Sequence, residues 1–131
     1  MREIKFMGKR IDNGEWVCGY YVKYEHMGDT KHIIITNWAQ VYVNSYEIDP
    51  ETLGQYTGLK DKNGVEIYEG DVLHCVSRWD SADMVVIFAD GEFRMVLLEK
   101  GDGFYDIRCF DKEVIDNIHD NPELLGVGEC I

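Results

Sequence analysis

No stretch of this chain approaches the roughly 20 consecutive apolar residues that a membrane-spanning helix needs, and the opening Met1-Arg2-Glu3-Ile4-Lys5-Phe6 lacks the apolar core of a secretory leader. A cytosolic protein is therefore expected. The four cysteines, Cys18, Cys75, Cys109 and Cys130, form no C-x-x-C pair. In a reducing compartment they are expected to be free thiols, with Cys18 and Cys75, inside apolar runs, acting as small buried hydrophobes. The histidines, His26, His32, His74 and His119, show none of the short spacings of zinc ligands. The glycines make no phosphate-cradling G-x-x-x-x-G-K-[ST] loop.

Basic residues are scarce: 13 against 25 acidic ones give a formal net charge of -12. Nucleic-acid binding draws on clustered cations that release counterions, so direct binding of DNA or RNA is not expected. The densest basic cluster, Lys5, Lys9 and Arg10, reads as a solvated strand edge. The acidity favours solubility and attraction to a basic partner surface, including that of a nucleic-acid-binding protein, which would make this chain an antagonist or DNA mimic.

What is present suits one globular domain. The chain has 131 residues, 45% of them hydrophobic and 12% aromatic. Ile4 to Tyr24, broken at Asp12-Asn13-Gly14, predicts a hairpin. After a polar link from His26 to Lys31, strands are expected at His32 to Thr36 and around Val41-Tyr42-Val43. Asp49-Pro50 favours a turn or a short helical start. Leu53 to Leu59 and Val65 to Tyr68 read as extended pieces folded across Asp61-Lys62-Asn63-Gly64, where Asn63-Gly64 suits a type I′ turn. Asp71, in Glu69-Gly70-Asp71-Val72, is placed to bond backbone N–H groups before a strand through Leu73, Cys75 and Val76. Met84 to Phe88 and Phe93 to Leu98, joined through Asp90-Gly91, give the strongest hairpin signal. Gly101-Asp102-Gly103 marks a further turn. Val114, Ile115 and Ile118 fit a helical face or a strand, and the β context favours a strand. Asn121-Pro122-Glu123-Leu124-Leu125 predicts one short C-terminal helical turn. The fold class is mostly β, a small barrel or sandwich.

The run Gly54-Gln55-Tyr56-Thr57-Gly58-Leu59-Lys60-Asp61-Lys62-Asn63-Gly64, then Glu66-Ile67-Tyr68-Glu69-Gly70-Asp71-Val72, the opening Met1 to Phe6 and the close Asn121 to Leu125 resemble the YopX family of phage and prophage proteins. The sequence departs from that pattern at Met7, where a basic residue is usual, and at Asp116, where glycine is common. The resemblance implies an SH3-like small barrel over about 53–131 beside an N-terminal β-hairpin region over about 1–52, a bacterial or phage origin, and a homo-oligomer. It implies no activity.

Chemistry is sparse. His74-Cys75 is the most suggestive nucleophile and base, yet neighbours in a strand point to opposite faces, so one belongs to the core and the other to the surface. Asp61, Glu66, Glu69, Asp71, Asp80, Asp83 and Asp90 follow no calcium-loop spacing and read as turn-forming, solubilising acids. Trp16, Trp38, Trp79, Tyr56 and Tyr68 suit either a peptide groove or a small β core, and the core reading is favoured. The expectation is a non-enzymatic protein-binding or self-assembling module with no catalytic, cofactor-binding or metal residues and no bound small molecule; the alternatives are the acidic antagonist and an enzyme with an unrecognised carboxylate or histidine site. Its candidate protein-binding residues are Tyr56, Tyr68, Asp71 and Trp79.

Overall fold

The computed structural model describes residues 4–36, 44–78, 80–98, 104–108 and 111–120. The chain divides into two compact units, 1–56 and 57–131. All regular structure among the described residues is antiparallel β, apart from a single 3-10 turn at Pro50–Thr52. No helix among them is long and apolar enough to cross a membrane.

The first unit holds β1 (Phe6–Lys9), β2 (Trp16–His26), β3 (Asp29–Thr36), β4 (Asn44–Glu47) and the start of β5 (Gly54–Lys60). Their order is β4-β3-β2-β1-β5. The first expected hairpin forms: Gly14 N–H donates to the Arg10 carbonyl, and the Asn13 side chain accepts from Glu15 N–H, both at 2.9 Å. The polar link expected at His26 to Lys31 is instead the end of a second, longer hairpin, in which β2 and β3 stay paired to His26↔Asp29. Met27 and Gly28 turn it with φ of 52° and 86°. Every residue from Val22 to Thr30 is exposed, so this arm has no hydrophobic period to betray it. A Cβ added at Gly19 would collide with the Ile35 carbonyl, which lets β2 and β3 run at normal ladder spacing only with glycine there. Asp49 caps the 3-10 turn, its Oδ1 accepting from Glu51 N–H at 3.0 Å. β1 lies between β2 and β5, so the cluster Lys5, Lys9 and Arg10 is not at a sheet edge as expected. The expected strand at Val41-Tyr42-Val43 lies outside the described residues.

The second unit holds the rest of β5, then β6 (Glu66–Tyr68), β7 (Asp71–Val76), β8 (Ser81–Ala89), β9 (Glu92–Leu97), β10 (Phe104–Asp106) and β11 (Asp111–Asn117). β6 pairs beside β5, and a five-stranded sheet runs β10-β9-β8-β7-β11, open at both ends among the described residues. Asp90-Gly91 turns β8 into β9 with φ of 52° and 81°, as expected. Val114 and Ile115 are in a strand, with Ile118 just beyond it. The turn at 101–103 and the helical turn at 121–125 lie outside the described residues. Both faces of the sheet are apolar. Ile67, Leu73, Cys75, Met84, Val86 and Met95 form one cluster, and Val72, Val85 and Val96 form another. That double burial is why Met84 to Phe88 reads as an unbroken apolar run and not as an alternation.

Two buried carboxylates organise the central motif. Asn63 does not adopt the positive φ of a type I′ turn; only Gly64 does, at 82°. The Asp61 side chain takes over the work of turning. Its Oδ1 accepts from Asn63 and Val65 N–H at 2.8 and 2.9 Å, and its Oδ2 accepts from Val114 N–H at 2.9 Å. Lys62 N–H donates to the Lys112 carbonyl at 3.2 Å, so the turn lies along the outer side of β11. Asp71, 5% exposed, bonds the next bend as expected: Oδ2 accepts from Tyr68 N–H at 2.8 Å, and Oδ1 from Asn117 Nδ2 at 3.0 Å. Gly70 continues the junction, donating to Val86 and accepting from Ile118.

These two acids have opposite pH consequences. Burial works against ionisation of Asp61, but three backbone N–H donors outweigh it and hold the carboxyl below its ordinary 3.8. Its contribution is complete above the ordinary pKa and is lost as pH falls through the lower folded value. Asp61→Ala, which orphans the three donors, is expected to cost about 3 kcal/mol in urea unfolding at neutral pH. Asp71 is pushed up to about 6 by burial, against the opposing bonds from Tyr68 and Asn117. Between 3.8 and about 6 the folded state therefore keeps a proton that the unfolded chain has released, and stability falls as pH rises. Unfolding free energies measured from pH 4 to 8 should decline by up to about 3 kcal/mol more in the wild type than in Asp71→Asn.

Candidate interaction surface

Directly opposed residues of an antiparallel pair share a face. Tyr20, Val22 and Tyr24 of β2 therefore lie with Ile35, Ile33 and Lys31 of β3, and Ile35 and Ile33 in turn with Ser45 and Glu47 of β4. The reverse face is packed: Ile34 is fully buried, Tyr21 stacks on His32 with its hydroxyl 2.7 Å from Nδ1, and Phe6 tilts against Tyr21. The first face is open to solvent, with Tyr20 48%, Val22 36% and Tyr24 44% exposed, and Met27 at the tip 92% exposed. Lys31 reaches Glu47 at 3.8 Å on the same face.

Three cations of the first unit, Lys5, Lys9 and Arg10, are engaged with rings. Lys5 Nζ lies 5.1 Å from the Tyr56 centroid, and Lys9 Nζ 5.5 Å from that of Trp16. Arg10 Cζ is 4.3 Å from the Tyr46 centroid while its guanidinium grips Asp12 at 2.9 and 2.6 Å. Such contacts contribute about 0.5–1 kcal/mol each at exposed sites and use up the cations locally. An open cleft of about 650 Å³ beside them presents Arg10, His32, Glu47 and Asp49 around Ile48, so charges of both signs face it. The acidic excess belongs elsewhere: residues 1–56 carry six basic and eight acidic residues, and 57–131 carry seven and seventeen.

The residues singled out from sequence are mostly internal. Tyr56 is 6% and Tyr68 5% exposed, the latter donating its hydroxyl to Glu66 at 3.1 Å, and Asp71 is the buried carboxylate of the β6–β7 bend. Trp16 is half-buried, whereas Trp38 and Trp79 lie outside the described residues. Cys18 is exposed, contrary to expectation, because it lies on the open face of β2 with Tyr20. Cys75 is core, and burial pushes its thiol up to about 11. His74 points to the opposite face, with Nδ1 2.8 Å from Asp83 Oδ1, so the two neighbours form no dyad. Tyr20, Val22, Tyr24 and Met27 carried no motif; the only signal for them was Met27-Gly28 between two runs of β-forming residues.

No curated protein matches this chain. Among solved structures it is similar to protein EF1440 from Enterococcus faecalis, with 25% identity and a TM-score of 0.52 over 95% of this chain and 99% of that one. The YopX protein family matches residues 5–126, nearly the whole chain and including both buried carboxylates. This protein belongs to the YopX family.

Proposed function

We propose that this protein works without catalysis, through protein–protein contacts made by the open face of the β2–β3 arm. The observation that carries the reading is the contiguous stripe of Tyr20, Val22 and Tyr24 leading to a 92% exposed Met27. Solvent-facing aromatic and apolar stripes of this kind serve as anchors in interfaces. Met27 also occupies a positive φ of 52°, a position where asparagine or glycine would be less strained, so neither solvation nor backbone preference accounts for it. In this reading the protein is a phage or prophage accessory factor of the bacterial cytoplasm, self-assembling or bound to a host or phage protein, and its second unit is a variant of the SH3-like barrel. The buried Cys75, whose thiol burial pushes up to about 11, and the separation of His74 from it support a non-enzymatic role.

A second reading, an acidic antagonist of a nucleic-acid-binding protein, draws on the seventeen acids against seven bases of residues 57–131. It predicts a basic partner whose binding weakens steeply with salt. The two separate in one experiment: affinity capture from bacterial lysate with nuclease, at low and high salt, together with light scattering for self-association. The triple variant Tyr20→Ser, Tyr24→Ser, Met27→Asn should remain folded and lose association at least tenfold. Unchanged association in the folded variant would refute the arm as the contact surface, and a salt-labile basic partner retained by it would favour the antagonist.

A further inference from the structure

Besides its open face, the β2–β3 arm has an open edge. β1 accompanies β2 only from Trp16 to Gly19, and Ile4 and Lys5, which precede β1, belong to no ladder. The His32 carbonyl accepts from Ile48 N–H at 2.9 Å and so faces away from β2. His32 is the partner of Lys23, so that pair exchanges no ladder bonds. By the alternation of antiparallel pairs, Tyr21, Lys23 and Glu25 therefore direct their N–H and C=O groups outward, where no described strand pairs with them. The edge carries neither proline nor a register shift. A lone lysine would blunt it, but Glu25 follows Lys23 at a spacing of two, on the same face, and cancels its charge.

We infer that this edge pairs with the same edge of a second copy, antiparallel about a two-fold axis at Tyr24, a pairing that rests on the arm being the contact surface and narrows its occupant to this chain itself. The charge pattern fixes the register. With Tyr24 opposite Tyr24 of the second copy, Lys23 meets Glu25 and Glu25 meets Lys23, and both pairs consist of outward-directed residues able to exchange their N–H···O bonds. A slide of two residues sets Lys23 against Lys23 in one direction and Glu25 against Glu25 in the other, and a slide of one residue brings outward backbone groups opposite inward ones. The neighbouring groups suit the pairing. β3 places His32 and Thr30 beside Lys23 and Glu25 on one face, and Lys31 and Asp29 beside Tyr24 and His26 on the other. Residues 1–56 carry six basic and eight acidic residues, so the acidic excess of the chain lies mainly outside the arm's unit. In this register the two apolar stripes join into one across the axis. The Met27-Gly28 turn of each copy then arrives beside Tyr21 and Tyr20 of the other, which gives the 92% exposed Met27 aromatic neighbours.

Sedimentation equilibrium of the full chain should give a dimer with a micromolar Kd. Lys23→Glu alone, or Glu25→Lys alone, sets like charges opposite each other on both sides of the axis and should weaken the dimer at least tenfold. The two reversals together restore opposite charges and should bring the dimer back to within about threefold of the wild type. Mild oxidation of Tyr24→Cys should join two copies through position 24, since directly opposed Cα atoms in such a pair lie about 4.5 Å apart, and Val22→Cys should not cross-link through position 22. The linked peptides are identified by mass, so the exposed Cys18 does not confuse the result. The pairing is overturned if the chain is monomeric at roughly 0.1 mM, if the single reversals leave a dimer unchanged, or if the double reversal fails to restore it. A dimer lost in the Tyr20→Ser, Tyr24→Ser, Met27→Asn variant but indifferent to the reversals would overturn this register and leave the arm as the contact surface. A dimer that survives both sets of changes would overturn the two together. Positions 22 to 25 are exposed and carry no core contact, so the variants should fold. Should a reversal fail to fold, the Tyr24→Cys cross-link decides the question by itself.

Discussion

The second unit depends on one carboxylate placed where the chain would otherwise leave three backbone donors without partners. Asp61 closes its own turn through Asn63 and Val65 and, with its other oxygen, holds Val114, which is 53 positions further along. A local turn and a distant strand are thereby fixed by the same side chain. Because Lys62 also donates to Lys112, the outer side of β11 is partly occupied by the turn, and a strand edge that would invite unwanted pairing is blunted. A hydrophobic residue at 61 would keep the volume but strand all three donors. The acid is therefore required by hydrogen-bond accounting and not by chemistry.

Asp71 plays a related part under stronger constraint. It joins the β6–β7 bend to Asn117 at the end of β11, with Gly70 bonded on either side to Val86 and Ile118. Only two donors compensate its burial, one fewer than at Asp61, and its ionisation is disfavoured where that of Asp61 is favoured. Deeper packing around Asp71, one donor fewer, and a lysine beside Asp61 together set the two acids apart. Asp116 sits at the register shift of β11, where its Oδ1 accepts from the following N–H at 2.8 Å.

The first unit is organised differently. Its sheet has one packed face around Ile34, Tyr21 and His32 and one open face of tyrosines and branched aliphatics. Lys5, Lys9 and Arg10 lie over aromatic rings, while the apolar stripe of β2 faces solvent. The five-stranded sheet of the second unit buries apolar side chains on both faces, with Cys75 among them. The two units thus differ in how their sheets are covered, one face left unpacked in the first and both faces apolar in the second.

By itself the sequence determined the β class, the hairpins at Asp12-Asn13-Gly14 and Asp90-Gly91, the capped turn at Asp49-Pro50, the backbone-bonding role of Asp71 and the family, because each rests on local turn chemistry or on a contiguous motif. It could not determine what depends on partners distant in the chain. Asn63-Gly64 has the composition of a type I′ turn, but the acceptor set of Asp61, completed by Val114, selects another geometry. The β2–β3 arm has both faces in solvent near its tip and so carries no period, and Lys5, Lys9 and Arg10 fall on an inner strand because β5 returns beside β1. Tyr56 and Tyr68 suit a groove or a core in one dimension, and the fold places both in the core. Which side of each strand meets the core is a long-range decision, and on it rests the exposed stripe at Tyr20, Val22 and Tyr24.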